Sequence, residues 1–202
     1  MHFAILIYDE PDSAAARDKT RAAHLEYLKA FDDQTLFAGP FTTDDESADL
    51  GSLRLIEFPD RAAAEKHVAE EPYVINGVQK RWKIHRWRGS VPYTWRDCPR
   101  KEGNIQALFY AIDLPGGMAK RTENREAHEA YLNENGDNIM VRGPLLDDDG
   151  ADSIGTLMLL DVPDLDAGDK LLKGDPFRKA GIYAELMYHR WRFGRVLDRF
   201  KS

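Results

Sequence analysis

Cysteine is almost absent from this sequence: Cys98 is the one copy in 202 residues. No internal disulfide can form, and the composition suits a reducing compartment, so a cytoplasmic location is expected. Long apolar runs are absent too. Nothing approaches the roughly 20 residues that span a bilayer, and residues 1–7 lack the basic region and cleavage site of a signal peptide. Positive charge is in the minority. Lys and Arg number 28 against 35 Asp and Glu, a net charge of -7, with no basic cluster. Nucleic acid and anionic membrane are therefore disfavoured as partners. There is no His-x-x-x-His or Cys-x-x-Cys pair, so no structural metal is expected. Asp147-Asp148-Asp149 lacks calcium-loop spacing and reads as a solvated loop. No phosphate loop or Gly-x-Gly-x-x-Gly appears, so the expected chemistry uses no cofactor.

What is present is a repeat. Sliding the chain by about 104 residues makes about 27 of the first 91 or so positions identical without a gap. Asp9 matches Asp113, Gly39-Pro40 matches Gly143-Pro144, Gly51 matches Gly155, and Pro72 matches Pro176. His85-Arg86-Trp87-Arg88 returns as His189-Arg190-Trp191-Arg192. A period this long is a duplicated domain, not a solenoid. The expected division is a first domain over 1–88, a linker over 89–104 and a second domain over 105–202. Tyr93 and Trp95 suggest that the linker lies on the protein surface.

Each copy shows the same order of elements. In the first, 3–8 is a short apolar strand, 15–31 a helix, and 36–38 a strand stopped by Gly39-Pro40. An acidic loop leads to a strand over 52–58. Asp60 caps a second helix that ends before Pro72, and 78–88 is the last strand. Strand, helix, strand, strand, helix, strand is the ferredoxin-like βαββαβ pattern of an α+β protein. A sheet covered by helices on one face leaves the other to bury. The expectation is two such domains packed sheet to sheet as a pseudo-dimer, a dimeric α+β barrel type, with the chain a monomer or a homodimer.

The candidate chemistry centres on the first helix of each copy. Arg21-Ala22-Ala23-His24-Leu25-Glu26-Tyr27-Leu28 returns as Arg125-Glu126-Ala127-His128-Glu129-Ala130-Tyr131-Leu132. Helical spacing puts Thr20, Ala23, His24, Tyr27, Leu28 and Phe31 on one stripe, and Ala127, His128, Tyr131 and Leu132 on its counterpart. Both histidines therefore point inward. Glu71 and Asp175 continue the apolar seam of the second helices, which places them near the buried side at a helix C-terminus, where dipole and burial both disfavour a charge. A carboxylate kept there calls for a partner, and the inward histidine is the natural one. Such a pair is either a general acid/base or a clamp between two helices.

Arg21 and Arg125, one turn before the histidines, could bind an anionic oxygen or form surface ion pairs. Gly39 and Gly143, before Pro40 and Pro144, either admit a ligand close to the backbone or permit a turn. Ser52 and Thr156 offer a hydroxyl for hydrogen bonding. On the last strand His189 shares a face with Trp191, as His85 does with Trp87; such a row either lines a pocket or packs between sheets. His67 has no counterpart in the second copy, where Leu171 stands, and is not a candidate.

Each half resembles the YCII family, whose members include the DGPF-motif proteins. The residues that carry the resemblance are Arg21-x-x-His24-x-x-Tyr27-Leu28, Ala38-Gly39-Pro40, Gly51-Ser52, and Glu71-Pro72-Tyr73 followed by Gly77. The second half repeats them as Arg125-x-x-His128, Arg142-Gly143-Pro144, Gly155-Thr156, and Asp175-Pro176-Phe177 followed by Gly181. The resemblance implies a ferredoxin-like fold that usually dimerises, kinship with muconolactone isomerase, and a His-Asp pair in acid/base chemistry. Dehydrochlorination of a hydroxylated aromatic is one activity it implies. Carried over, the pair is His128 with Asp175. In the first half it is His24 with Glu71, a departure, because the family residue is Asp. The expectation is an acid/base isomerase, lyase or dehydrohalogenase acting on a small cyclic or aromatic compound, with the fully family-like site in the second half. The alternative is a non-catalytic binding or interaction module in which both pairs are structural.

Overall fold

The computed structural model describes residues 1–194. The chain forms two compact units. Of the described residues, one unit comprises Met1–Trp87 with 193–194, and the other comprises Arg88–Arg192. Residues 89–104 thus belong to the second unit. Among the described residues no helix is long and apolar enough to cross a membrane.

In the first unit, β1 (His2–Asp9) leads to α1 (Ala14–Lys29), β2 (Thr35–Thr42) and β3 (Asp49–Glu57). Then come α2 (Arg61–Ala69), a one-turn α3 (Pro72–Ile75) and β4 (Gln79–Trp87). Strand β1 pairs antiparallel with both β3 and β4, and β2 pairs with β3, so the order is β4-β1-β3-β2. The second unit repeats this with β5 (Ile105–Asp113), α4 (Gly117–Glu134), β6 (Ile139–Leu146) and β7 (Ser153–Val162). It ends with α5 (Leu165–Gly174), α6 (Pro176–Lys179) and β8 (Tyr183–Trp191), in the order β8-β5-β7-β6. Each unit is the ferredoxin-like βαββαβ arrangement that the element order implied.

Alternation along the strands builds each core. Phe3, Ile5 and Ile7 of β1 cluster with Ile56, Ala64, Val68 and Ile84. Ala107, Phe109 and Ala111 of β5 cluster with Leu132, Met158, Leu160, Leu171 and Leu172. Ala4, Leu6, Leu108 and Tyr110, on the alternate faces, are fully buried as well. Strands buried on both faces read as continuous apolar runs, which is how 3–8 appeared in the sequence.

Three local expectations change. Gly39-Pro40 does not stop β2, which runs to Thr42 with Pro40 paired opposite Ser52; Gly143-Pro144 lies inside β6 in the same way. A proline fits a strand where its missing N–H faces away from the ladder, so the turn role for Gly39 and Gly143 falls. The glycines that sterics require are Gly51 and Gly155. A Cβ on either would sit 2.3 Å from a backbone oxygen, Ile7 O or Ala111 O. The inward stripe is also narrower than expected, since Ala23 and Ala127 are exposed. Finally, an extended residue at or just after the end of each second helix caps a further short helix, which adds to the setting of the two carboxylates.

The segment 89–104 packs on the second unit. Trp95 and Cys98 are buried. Asp161 fastens the segment's end by accepting from Lys101 N at 2.8 Å and Asn104 Nδ2 at 3.0 Å, and it also accepts from Gln106 Nε2 at 2.9 Å.

Candidate active site

Both inward histidines meet their predicted carboxylates. His128 Nδ1 lies 2.6 Å from Asp175 Oδ1, and His24 Nδ1 lies 2.8 Å from Glu71 Oε1. All four residues are buried. The carboxylates do stand at the C-terminal ends of the second helices, Asp175 as the C-cap of α5 and Glu71 next to Glu70, the C-cap of α2, but each also has a second role. Glu71 and Asp175 have extended backbones and are the N-caps of α3 and α6. Oε1 of Glu71 accepts from Tyr73 N, and Oδ1 of Asp175 from Phe177 N, each at 3.0 Å. A capping N–H favours the charged carboxylate. The residue before each proline cannot stay helical, and that break aims the carboxylate at the histidine.

The aromatic that follows each proline lies flat on the imidazole. Phe177 stacks on His128 with ring centroids 3.7 Å apart, and Tyr73 stacks on His24 at 4.0 Å. An arginine covers each aromatic, the buried Arg121 over Phe177 at 4.9 Å and the half-buried Arg17 over Tyr73 at 4.7 Å, a cation–π arrangement. Arg121 is held by Asp113 through bonds of 2.5 and 2.8 Å and donates to Thr156 Oγ1 at 2.8 Å. Arg17 donates to Asp9 at 2.6 Å and faces Asp49 at 3.1 Å. Both acids sit at a register shift in their strand, between Tyr8 and Asp9 and between Ile112 and Asp113. Such a bulge re-aims a side chain. Sequence reasoning missed these arginines, although Arg17 with Arg121 and Asp9 with Asp113 are identical across the repeat.

Beyond this common frame the two units diverge. In the first, Glu71 has a second partner: Arg54 NH2 donates to Oε2 at 2.9 Å. Arg54 NH1 reaches His67 Nε2 at 2.9 Å, and because arginine has only donors, that nitrogen accepts. His67 is therefore neutral with its proton on Nδ1, which faces Tyr27 Oη at 3.2 Å, while Tyr27 donates to the His67 carbonyl at 2.9 Å. Burial, then the Arg54 charge, hold the His67 pKa down to about 3. Burial opposes the Glu71 charge, yet the His24 hydrogen bond, Arg54 and the Tyr73 N–H bring its pKa down to about 2. Burial also lowers the His24 pKa, against the pull of Glu71. His67, set aside in the sequence reading, is thus a member of a network with buried His24, Arg54 and Glu71 and half-buried Tyr27.

In the second unit Met158 stands for Arg54, Leu171 for His67 and Asp175 for Glu71. The network is gone, and Asp175 Oδ2 is buried with no hydrogen-bond partner. The extra methylene of Glu71 and the buried arginine are one coupled change, since the longer acid reaches a cation that the shorter one has no need to meet.

A cavity of about 280 Å³ opens beside His128. Of the predicted residues, Arg125, His128, Gly143, Pro144 and Thr156 line it, with Phe177 and Met158. Asp175 lies behind the imidazole. His128 Nδ1 is engaged, and Nε2 is neither bonded to a protein atom nor among the buried unpartnered atoms. That nitrogen is the one available to a ligand. His189 and Trp191 do not line this cavity; they lie on β8 opposite Leu108 and Gln106, with Trp191 buried. Residues not predicted for the site, among them Arg88, Ser90, Arg121, Glu129, Asn133 and Arg142, form much of the rest of the wall. In the first unit Ser52 Oγ is buried without a partner, whereas its counterpart Thr156 accepts from Arg121 and from Tyr183 at 3.2 Å. Arg21 is half-buried on α1, three residues before His24, and Gly39 and Pro40 are buried in β2. Among the described residues there is no group of three or more His, Cys, Asp or Glu side chains placed to hold a metal.

Fold and site together define a class: an α+β protein of two ferredoxin-like units, each with a histidine held by a carboxylate beneath a stacked aromatic ring. The chain belongs to the YCII-related domain family, whose model matches residues 1–88 and again 105–192. No curated protein matches. Among solved structures, a 5-chloro-2-hydroxyhydroquinone dehydrochlorinase from Burkholderia phenoliruptrix AC1100, in complex with 2,5-dihydroxybenzoquinone, is 33% identical. That match covers 46% of this chain and 98% of the other, with a TM-score of 0.42. A chlorite dismutase variant from Candidatus Nitrospira defluvii is 9% identical over 100% of this chain and 95% of its own, with a TM-score of 0.60. A heme-binding protein from Thermus thermophilus is 18% identical over 98% and 94%, with a TM-score of 0.54. At these identities the last two matches show a shared fold, the dimeric α+β barrel type, and nothing of function.

Proposed function

We infer that the chain is an acid/base enzyme acting without a cofactor on a small cyclic or aromatic compound, of isomerase, lyase or dehydrohalogenase type. His128 moves the proton through Nε2, Asp175 fixes the tautomer and orientation of the ring, and Arg125 holds an anionic group of the substrate. One observation carries this reading: His128 has one nitrogen tied to a buried carboxylate at 2.6 Å and lines a cavity of about 280 Å³. An imidazole held in that way has its other nitrogen free to take and return a proton.

The alternative, a pair that serves only as a clamp, is favoured for the first unit by a specific observation. Glu71 is bound on both oxygens and tied through Arg54 to His67. We therefore assign chemistry to the second unit and a structural role to His24–Glu71. The chain acts in the cytoplasm as a fused pair of repeats, alone or as a homodimer, and its partner is a small molecule.

The test is a thermal-shift and turnover screen with hydroxylated and lactone-like rings, including 2,5-dihydroxybenzoquinone, since a bound ligand raises apparent stability. His128→Ala is expected to lower turnover by about 10²–10⁴-fold, with His24→Ala close to wild type. The reverse pattern would overturn the assignment of halves, and a screen with no wild-type response would overturn the enzyme reading.

A further inference from the structure

The walls of the His128 cavity carry more positive charge than the acid/base reading uses. Arg88, Arg125 and Arg142 all line it, and none has an ion-pair partner among the described residues. Arg121 differs, because Asp113 neutralises it. Arg142 is half-buried and donates to a neutral acceptor, Asn133 Oδ1, at 2.6 Å. The one carboxylate among the lining residues is Glu129. Three guanidinium groups against one carboxylate leave two positive charges uncompensated along the wall. Arg88 and Arg125 are exposed, whereas Arg142 is half-buried, and a partly desolvated guanidinium without a counter-charge is costly; the planar donor fork of each matches the oxygens of a carboxylate.

The arginines come from two places. Arg125 stands on α4, one turn before His128. Arg142 is on β6, and Arg88 lies beside it, because the chain after β4 runs along that strand: Arg88 N donates to Pro144 O at 3.2 Å and Ser90 N to Arg142 O at 2.9 Å. The first unit has no equivalent of Arg142, where Ala38 stands.

We propose that this cavity takes a dianion: a small ring, or an acid derived from one, bearing two anionic oxygen groups. Arg125 holds one group on the helix side, and Arg142 with Arg88 holds the other on the strand side. His128 reaches the carbon skeleton between them. The volume, at the lower edge of the usual range for ligand pockets, restricts the occupant to a single ring. This proposal takes the location of the site from the acid/base reading but concerns binding, which survives loss of chemistry.

The experiment is calorimetric titration of the full chain with benzoate, benzene-1,3-dicarboxylate, benzene-1,4-dicarboxylate and inorganic phosphate. At least one dicarboxylate is expected to bind roughly tenfold or more tighter than benzoate and than phosphate, the gain of a second charge-assisted contact. Arg142→Ala, which installs the first unit's residue, should reduce that ratio to roughly threefold or less. Arg142→Gln keeps a polar hydrogen-bonding side chain but removes the charge, and should do the same. Lys170→Ala, an exposed charge removed elsewhere on the unit, should leave the ratio intact. His128→Gln should keep the dicarboxylate preference while losing turnover, so a failed preference and a failed mechanism are read separately. Equal affinity for benzoate, equal affinity for phosphate, no binding by any probe, or a ratio that persists in both Arg142 variants would each overturn the proposal.

Discussion

Arg54→Met is the sharpest test of the difference between the two units, because the second unit already carries methionine at the matching position, Met158. The substitution removes the cation that sits 2.9 Å from Glu71 Oε2 in a place where both side chains are all but inaccessible. Breaking a buried ion pair from one side costs about 3–5 kcal/mol, because the remaining charge stays buried without its partner. Here the lower end applies, about 3 kcal/mol, since His24 and the Tyr73 N–H still bind Glu71. The triple variant Arg54→Met, His67→Leu, Glu71→Asp installs the whole second-unit set. Replacing a buried ionic cluster by well-packed apolar residues is often neutral or stabilising, so the triple should lie within about 1 kcal/mol of the parent. In urea, with a slope of about 2 kcal/mol/M, the single change lowers the midpoint by about 1.5 M and the triple by less than about 0.5 M. The two units need not unfold together, so the transition to follow is that of the first unit. A single variant with an unmoved midpoint would refute the ion-pair argument. A triple variant as damaged as the single would refute the claim that the three differences are one coupled change.

Acid should weaken the first unit well above the usual carboxylate range. Unfolded, His67 takes up its proton near pH 6.5, but folded it resists to about pH 3. Between those values the unfolded chain binds more protons, so stability falls with pH by up to about 1.4 kcal/mol per unit. Glu71, depressed to about 2, adds a loss as pH falls below its ordinary 4.5. Denaturation midpoints measured from pH 7 to 3 should show this slope, and His67→Leu should flatten its upper part. Asp175→Asn should lower turnover by about 10²-fold or more while leaving the fold intact, because the amide no longer fixes the imidazole as an acceptor-ready base; circular dichroism beside the rate assay checks both halves of that statement. Gly155→Ala should destabilise by about 1–3 kcal/mol or more, since its Cβ would meet the Ala111 carbonyl, and a thermal melt reads the loss. Burial raises the pKa of the Cys98 thiol, so it should react slowly with a thiol reagent in the native protein. Asp161→Ala, which unfastens residues 101–104, should speed the reaction toward the unfolded rate.

The sequence by itself determined the duplication, the element order and the two histidine–carboxylate pairs. These are local or periodic properties. A 3.6-residue stripe turns His24 and His128 inward, a proline ends each second helix one residue after an acid, and the matched positions repeat at a fixed offset. Which residues surround those pairs was decided by tertiary structure. Arg54 and His67 lie on β3 and α2, and only the packing of α2 on the sheet brings them to Glu71. Arg88 joins Arg142 at the cavity because the chain after β4 runs beside β6, a pairing that no local pattern announces. The carboxylates sit at the helix ends that the sequence indicated, and the fold adds a stabilising role by making each the cap of the next short helix. A sequence shows where a charge interrupts an apolar seam, but the partner that stabilises it is a neighbour in space, chosen by how the elements pack.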